Sequence, residues 1–535
     1  MTSLPEKPSR RTLVVLGAIL GVGLLLRLLY VVHATTRPGF RLDDPDSYLR
    51  QGERIALGDS AWRFDFEVVE HAVEGRRYAL PPLYPVFLSL FALLPGFPVN
   101  VLIGQALLAA LGCLCAFLLA REIHSDRAGL VAAAFYALWF PNIIAVWSTM
   151  QETLFVPLVL SGFVVLLRAR AFGGFVLAGL LLGVAALTRS MPLYYVPVAA
   201  ILLGWCHGIR RGGVLAAGLA LGFAAFTVPY SIALSRHLGS PTFIENHAGL
   251  RIASEHRAEG ARPPGPIATA ATLLRQFAAA PGRTIGDWST TSRSILHVNG
   301  GRLLQIYLGA ETKLGATAWK LATHVFTDLS LVLVLALAPF GFVLCQKPDC
   351  ARFLAAWVVV CFGLTVISGF GGPRLRAPFE PHLMVGAAVV LASGWRRPHA
   401  YAILAAALVS LVFAGAVVPQ LGRSFAAKAD YGVHWPLDPP PKRSAIAGKA
   451  GFNVLASDRF VELAFRPRND GKPTRVSILL DGELVGNEVV GNEVVEAAEH
   501  WFRYPTANAG LVYVEVISED AEVGTPVRAL IVVPR

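Results

Sequence analysis

Apolar residues occupy blocks of about 20 from Thr12 to about Gln420, and the stretches between the blocks hold most of the Lys and Arg. A helix rises about 1.5 Å per residue, so some 20 apolar residues cross the roughly 30 Å hydrocarbon layer of a bilayer. The pattern predicts about eleven membrane-spanning helices, at 12–33, 99–121, 128–147, 153–167, 174–188, 191–206, 213–233, 327–346, 352–369, 379–394 and 400–418. A further apolar run, Pro82 to Leu94, has only 13 residues and reads as an interfacial or re-entrant segment.

Alternate junctions are basic: Arg121/Arg127, Arg168/Arg170, Arg210/Arg211, Lys347/Arg352 and Arg396/Arg397. Cytoplasmic loops carry the excess of Lys and Arg, which places these five inside together with the N-terminus. Outside then lie Arg41–Asp59, Glu152, Arg189, the long stretch 234–326, Gly371–Pro378 and everything after Gln420. Counting Pro82–Leu94 as a span would invert every later loop and expose the basic clusters. The expected location is the cytoplasmic (inner) membrane, crossed many times. The KPSRRTLVVLGAILGVGLLLRLLYVVH start reads as a retained signal anchor, since its apolar run is too long for a signal-peptide core.

Beyond Gln420 the period changes. A linker, 421–450, contains HWPLDPPPKR, and the segments VELAF, TRVSILLDGELVG, LVYVEVIS and RALIVV then alternate with period two. Asp481-Gly482 between alternating hydrophobics signals a hairpin. The expectation is an all-β sandwich at 451–535, immunoglobulin-like and outward-facing, with the tandem GNEVV lengthening a loop or strand edge. The membrane domain is 1–420, with a first outer loop at 34–98 and a long outer loop at 234–326.

Composition agrees: 54% of the residues are hydrophobic and 16% charged, against roughly a quarter charged in soluble domains. The net charge of +11 is dispersed between apolar runs, where it orients helices and gives no nucleic-acid footprint. The six cysteines show neither a disulfide framework nor zinc spacing.

Against that scarcity of charge, RLDDPDSYLRQGERIALGD places Asp43, Asp44 and Asp46 within four positions at the outer face. One reading is structural, with Asp44 as N-cap, Pro45 as first helical residue and Gly58 as the stop. The other makes Asp44 a general base beside a lipid-borne substrate. The two are compatible, because a cap is held rigidly.

The residues that follow carry a resemblance. Asp44 precedes Tyr48, then come Gly58-Asp59, Trp62, Arg76-Arg77 and Leu80-Pro-Pro-Leu-Tyr84-Pro85. This order resembles the first outer loop of the GT-C glycosyltransferases that use polyprenyl-phosphate sugars. The likeness is to the bacterial protein-mannosyltransferase and lipid A aminoarabinose-transferase group (glycosyltransferase family 39-like). There a D-E-x-x-Y element and a K-P-P-L-x-Y element flank a G-x-W turn, and Asp44 falls on the essential aspartate. Pro45 stands where relatives carry the second acid, and Leu80 where they carry Lys, so Arg77 or Arg76 would supply that cation. FPNIIAVWSTMQETLF places Glu152 on an acidic position of the family, GVAALTRSMPLYYVP resembles its L-T-R-P element at Arg189, and GGPRLRAPFEPHL places Arg374 and Arg376 in an R-x-R-x-P turn.

Each of these has a plainer reading: a helix N-terminal acid for Glu152, a snorkelling arginine for Arg189, and headgroup contact for the Arg374/Arg376 pair. Arg27, inside the first span, reads as solvated or snorkelling. His71, Asp59, Asp65 and Asp328 are not singled out by any pattern.

The resemblance implies an α-helical polytopic membrane protein of GT-C type. Its activity would be inverting transfer of a sugar from a polyprenyl-phosphate donor to the hydroxyl of a glycan, lipid or protein acceptor. Asp44 would be the base, with Asp43 and Glu152 as further catalytic candidates. Tyr48, Arg77, Tyr84, Arg189, Arg374 and Arg376 would bind substrate. Glu152 with Asp44 has donors suited to a divalent metal, and no metal is assigned. The rival classes are a transporter or flippase for lipid-linked or anionic substrates, and a scaffold that displays the β domain. Transporters place ionisable residues near mid-membrane and repeat their halves; here the charges gather at one face.

Overall fold

The computed structural model describes residues 7–36, 48–58, 81–147, 149–239, 241–245, 275, 277–296, 329–367, 373–393, 404, 406–411 and the strands named below. The chain divides into two compact units, one of residues 1–299 with 325–417 and one of 300–324 with 418–535.

The first unit is helical. Its elements are α1 (Arg10–Thr35), α2 (Tyr48–Ala56), α3 (Leu83–Ala92), α4 (Val99–Ile123), α5 (Asp126–Leu138), α6 (Phe140–Ile144), α7 (Glu152–Arg168), α8 (Phe172–Ala186), α9 (Met191–His207) and α10 (Ile209–Leu238). After these come α11 (Pro281–Ile295), α12 (Ser330–Leu344), α13 (Pro348–Ile367) and α14 (Glu380–Ala392). Among the described residues, α1, α4, α10 and α13 are long and apolar enough to cross a membrane, and α3, α8, α9, α12 and α14 are shorter apolar helices. The ten residues of α3 reach about 15 Å, half a bilayer.

One expected span is broken. The run 128–147 divides into α5, an extended Trp139 (φ −66°, ψ 107°) and α6, followed by a 3-10 turn at Ala145–Trp147. Pro141 has no N–H to give the Ala137 carbonyl, so a continuous helix would leave that acceptor unmet. Arg27 meets it. Its Nη1 donates to Ala137 O at 3.0 Å and to Gly23 O at 2.8 Å, and its Nη2 donates to Tyr136 O at 3.2 Å. Arg27 is 1% exposed. It does not snorkel: it closes the end of α5, and Gly23 gives α1 close approach there, since a Cβ would stand 2.9 Å from Ala137 Cβ.

Small residues bring other helices together, as is usual where lipid gives helices no hydrophobic drive to associate. A Cβ on Gly183 of α8 would stand 2.7 Å from Phe223 O of α10, and one on Gly386 of α14 would stand 2.7 Å from Ala338 O of α12. At the far end of α4, buried Glu122 accepts from Lys347 Nζ at 2.6 Å and Arg168 Nε at 3.3 Å. The Ile123 carbonyl there takes the N–H groups of Gln346 and Lys347 at 3.0 and 3.2 Å. Two of the basic junctions thus share one carboxylate.

The second unit contains β1 (Ala445–Ile446), β2 (Lys449–Ala456), β3 (Phe460–Arg466), β4 (Thr474–Leu480), β5 (Glu483–Val490), β6 (His500–Pro505), β7 (Gly510–Ser518) and β8 (Val527–Ile531). They form two four-stranded sheets, ordered β1-β8-β3-β6 and β2-β7-β4-β5, with antiparallel pairings. Leu480 pairs with Glu483, leaving two residues between β4 and β5.

The role of Arg27 is directly measurable. Arg27→Met strips the donors from two buried carbonyls and is expected to cost about 2–4 kcal/mol, seen as a lower unfolding temperature in detergent. Arg27→Lys should recover part of the loss. An unchanged temperature in Arg27→Met would contradict the capping role.

Candidate functional site

Tyr48 opens α2 and is fully buried. Its ring meets Tyr84 edge-on, centroids 5.1 Å apart at 89°, and its hydroxyl donates to Gln151 Oε1 at 3.2 Å. Gly52, one helical turn further on, lets α2 lie against α3, because a Cβ there would stand 2.8 Å from Leu88 Cβ. Tyr84 and Leu88 sit on one face of α3, and with Tyr48, Val101 and Leu154 they make an apolar cluster. Edge-to-face contact suits two phenols whose hydroxyls each need a polar partner elsewhere.

Tyr84 finds its partner in Gln105 of α4, donating to Oε1 at 2.7 Å. The same oxygen accepts from Thr153 Oγ1 at 2.7 Å, and Gln105 Nε2 donates to Val146 O at 2.8 Å. This fully buried amide therefore ties α3, the 3-10 turn and the start of α7 to α4. A buried polar network adds order when its members are satisfied.

The Pro-Pro-Leu and Leu-Thr-Arg segments, distant in sequence, meet through backbone. Leu83 N–H donates to Leu187 O at 2.9 Å. Two residues later Arg189 Nη1 donates to Glu152 Oε1 at 2.5 Å, with side chains 13% and 7% exposed. Glu152 is the first residue of α7, where the helix dipole favours a carboxylate. The neighbouring Ser190 hydroxyl donates to Glu245, just beyond α10. So Tyr48, Tyr84, Glu152 and Arg189, four of the expected site residues, belong to one network. Gln105, Gln151, Ser190 and Glu245 complete it, and no sequence pattern had marked them as site residues.

A second group surrounds Glu380. Its carboxylate accepts from Arg376 Nε at 2.7 Å and from Trp139 Nε1 at 2.9 Å, and Arg376 Nη1 donates to Ile295 O at 3.0 Å. Arg376, 4% exposed, thus joins α11 and α14. Arg374 lies in the same 3-10 turn, Pro373–Arg376. Asp43, Asp44 and Arg77 lie outside the described residues, as do Asp46, Asp59, His71, Asp65 and Asp328. Among the described residues no group of three or more His, Cys, Asp or Glu is placed to hold a metal.

The Glu152–Arg189 pair gives a stability test. Removing one member of a buried pair strands the other charge and typically costs about 3–5 kcal/mol. Glu152→Gln and Arg189→Met should each lower the unfolding temperature, and the double variant should lose less than the two single losses added. Strict additivity would contradict the coupling.

Residues 79–231 match the family model described as dolichyl-phosphate-mannose-protein mannosyltransferase. No curated protein matches the chain. Among solved structures, the chain is similar to the archaeal oligosaccharyltransferase AglB from Archaeoglobus fulgidus, in complex with an inhibitory peptide and a dolichol-phosphate. That likeness has 15% identity and a TM-score of 0.42, over 77% of this chain and 55% of that one. It is also similar to ArnT from Cupriavidus metallidurans bound to undecaprenyl phosphate, at 14% identity and a TM-score of 0.43, over 77% of this chain and 65% of that one. The chain thus spans between half and two thirds of the length of each. The stretch that matches this family model, residues 79–231, carries Tyr84, Gln105, Glu152 and Arg189.

Proposed function

We propose that the chain is an inverting glycosyltransferase that moves a sugar from a polyprenyl-phosphate donor to an acceptor hydroxyl at the outer face of the cytoplasmic membrane. The observation that carries this reading is the convergence of Tyr48, Tyr84, Glu152 and Arg189 on one network, the last three within the stretch that matches a mannosyltransferase family model. About eleven spans cross the membrane, with the N-terminus and the basic junctions in the cytoplasm. The strands β1–β8 form a sandwich on the outer side, and β1 and the first residues of β2 already lie in the expected linker, 421–450, that joins it to the membrane domain, 1–420; the two four-stranded sheets support that reading. The acceptor is a glycan, lipid or protein.

The reaction needs little beyond a base and a cationic cradle. The donor keeps its tail in lipid and its phosphate at the outer face, where the leaving group is already good. Asp44 takes the acceptor O–H proton. The acceptor oxygen bonds to the anomeric carbon as the carbon–phosphate oxygen bond breaks, and the polyprenyl phosphate departs with the electron pair. One displacement from the opposite face inverts the centre. Asp43, its neighbour, is the alternate base.

Arginine recognises phosphate through a fork of N–H donors, and Arg189 spends Nη1 on Glu152 out of the five N–H groups of a guanidinium. Glu152 holds that guanidinium in place for the phosphate. Arg77 takes the role of the lysine absent at Leu80. Arg376, locked on Glu380, anchors the turn from which Arg374 adds charge. Tyr48 and Tyr84 seat α2 on α3, in the segment that follows Asp43 and Asp44 in sequence. Glu152 with Asp44 has the chemistry to bind a divalent ion, without a third described ligand.

Asp44→Asn keeps the shape and removes the base. Transfer from polyprenyl-phosphate sugars by the purified variant should fall about 10²–10⁴-fold, with Asp43→Asn affected less. Undiminished transfer in Asp44→Asn would overturn the assignment.

A further inference from the structure

Glu245 is built into its position more firmly than a loop carboxylate requires. Helix α10 ends at a left-handed Gly239 (φ +66°), a conformation that suits glycine. The chain then folds back on the helix. Ser235 Oγ donates to Thr242 O at 2.8 Å and accepts from Thr242 N–H at 2.8 Å. Ile244 is buried next to this clasp, and the next residue, Glu245, accepts the Ser190 hydroxyl. Tyr194 stands one helical turn beyond Ser190 on α9 and is 44% exposed.

The charges nearby say what this carboxylate is for. Consecutive residues, Arg189 and Ser190, each hold an acid from a different element, Glu152 and Glu245. The cation of the pair is matched by Glu152. Among the described residues, Glu245 has a neutral hydroxyl as its partner and no cation. A second carboxylate beside a phosphate repels it, so Glu245 does not serve the anionic part of a lipid-phosphate ligand. It suits groups that donate hydrogen bonds without carrying negative charge. A carboxylate oxygen that accepts hydroxyls, beside an accessible aromatic side chain that covers C–H faces, is chemistry suited to a sugar ring.

We infer that Glu245, positioned by Ser190 and the Ser235–Thr242 clasp, binds the hydroxyls of the donor sugar and sets which sugar is accepted. This rests on the transferase reading above and assigns one part of its substrate to one residue. Glu245→Gln keeps the length and one acceptor oxygen but loses the charge, and hydrogen bonds to charged groups are the stronger kind.

The test compares two ligands on purified protein in nanodiscs: undecaprenyl phosphate, and a panel of undecaprenyl-phosphate hexoses and pentoses. Glu245→Gln should weaken the sugar-bearing ligand preferred by the wild type about 10- to 100-fold and narrow the differences across the panel. Its affinity for bare undecaprenyl phosphate should stay within about twofold. Glu245→Asp, which keeps the charge, should recover part of the discrimination. Equal loss on both ligands, or no loss on either, overturns the inference, as does a wild type that binds the two equally. A wild type that prefers particular sugars but transfers none contradicts the transferase reading instead, and leaves the role of Glu245 in sugar binding readable.

Discussion

Within an apolar bundle every polar group has to find its partner inside the bundle, because lipid offers none. That constraint organises this molecule. Pro141 removes a donor from the α5–α6 run, and Arg27 of α1 supplies the replacement at the Ala137 and Tyr136 carbonyls. The break that follows frees the chain to turn at Trp139, whose indole is taken up by Glu380. The short elements between Phe140 and Gln151 then deliver Gln151 to Tyr48 and Glu152 to Arg189. An arginine in the first span thus helps set where the acid of the fourth expected span begins.

Gln105 meets the same demand at the centre. Its single amide satisfies Tyr84, Thr153 and Val146, which fixes α3, α7 and the intervening turn in one step. Fully satisfied buried networks specify one arrangement, whereas a half-satisfied one would cost more than an apolar core. The ion pairs follow similar logic. Glu152–Arg189 and Arg376–Glu380 are both largely shielded, and each draws its worth from geometry and from the further hydrogen bonds around it. Such pairs do little for stability unless complete, and they hold charged groups in fixed places.

Much of the helical unit was legible in the sequence. The apolar runs that became α1, α4, α7, α8, α9, α10, α12, α13 and α14 lie within a few residues of their expected bounds, since hydrophobic length is a direct physical signal. The shortness of Pro82–Leu94 also foretold α3. What the pattern missed were single residues whose meaning depends on a distant partner. Glu380 is joined to Trp139 across 241 positions and Lys347 to Glu122 across 225. A lone Gln in an apolar helix carries no periodicity, so Gln105 was invisible. Arg27 was misread as snorkelling because the missing donor at Pro141 lies on another helix. Tyr48, Tyr84, Glu152 and Arg189 were singled out because their order resembles that of a known family, and in three dimensions they meet in one network.

The central claim is that a glycosidic bond is made at this site and that the lipid phosphate is its leaving group. The most direct measurement follows purified protein with a polyprenyl-phosphate sugar labelled at its anomeric carbon, using NMR to read products. The account predicts a new glycosidic bond of inverted anomeric configuration, with one polyprenyl phosphate released for each bond formed. Passage of the intact donor from one leaflet to the other, with its sugar–phosphate bond unbroken and no new bond formed, would contradict it.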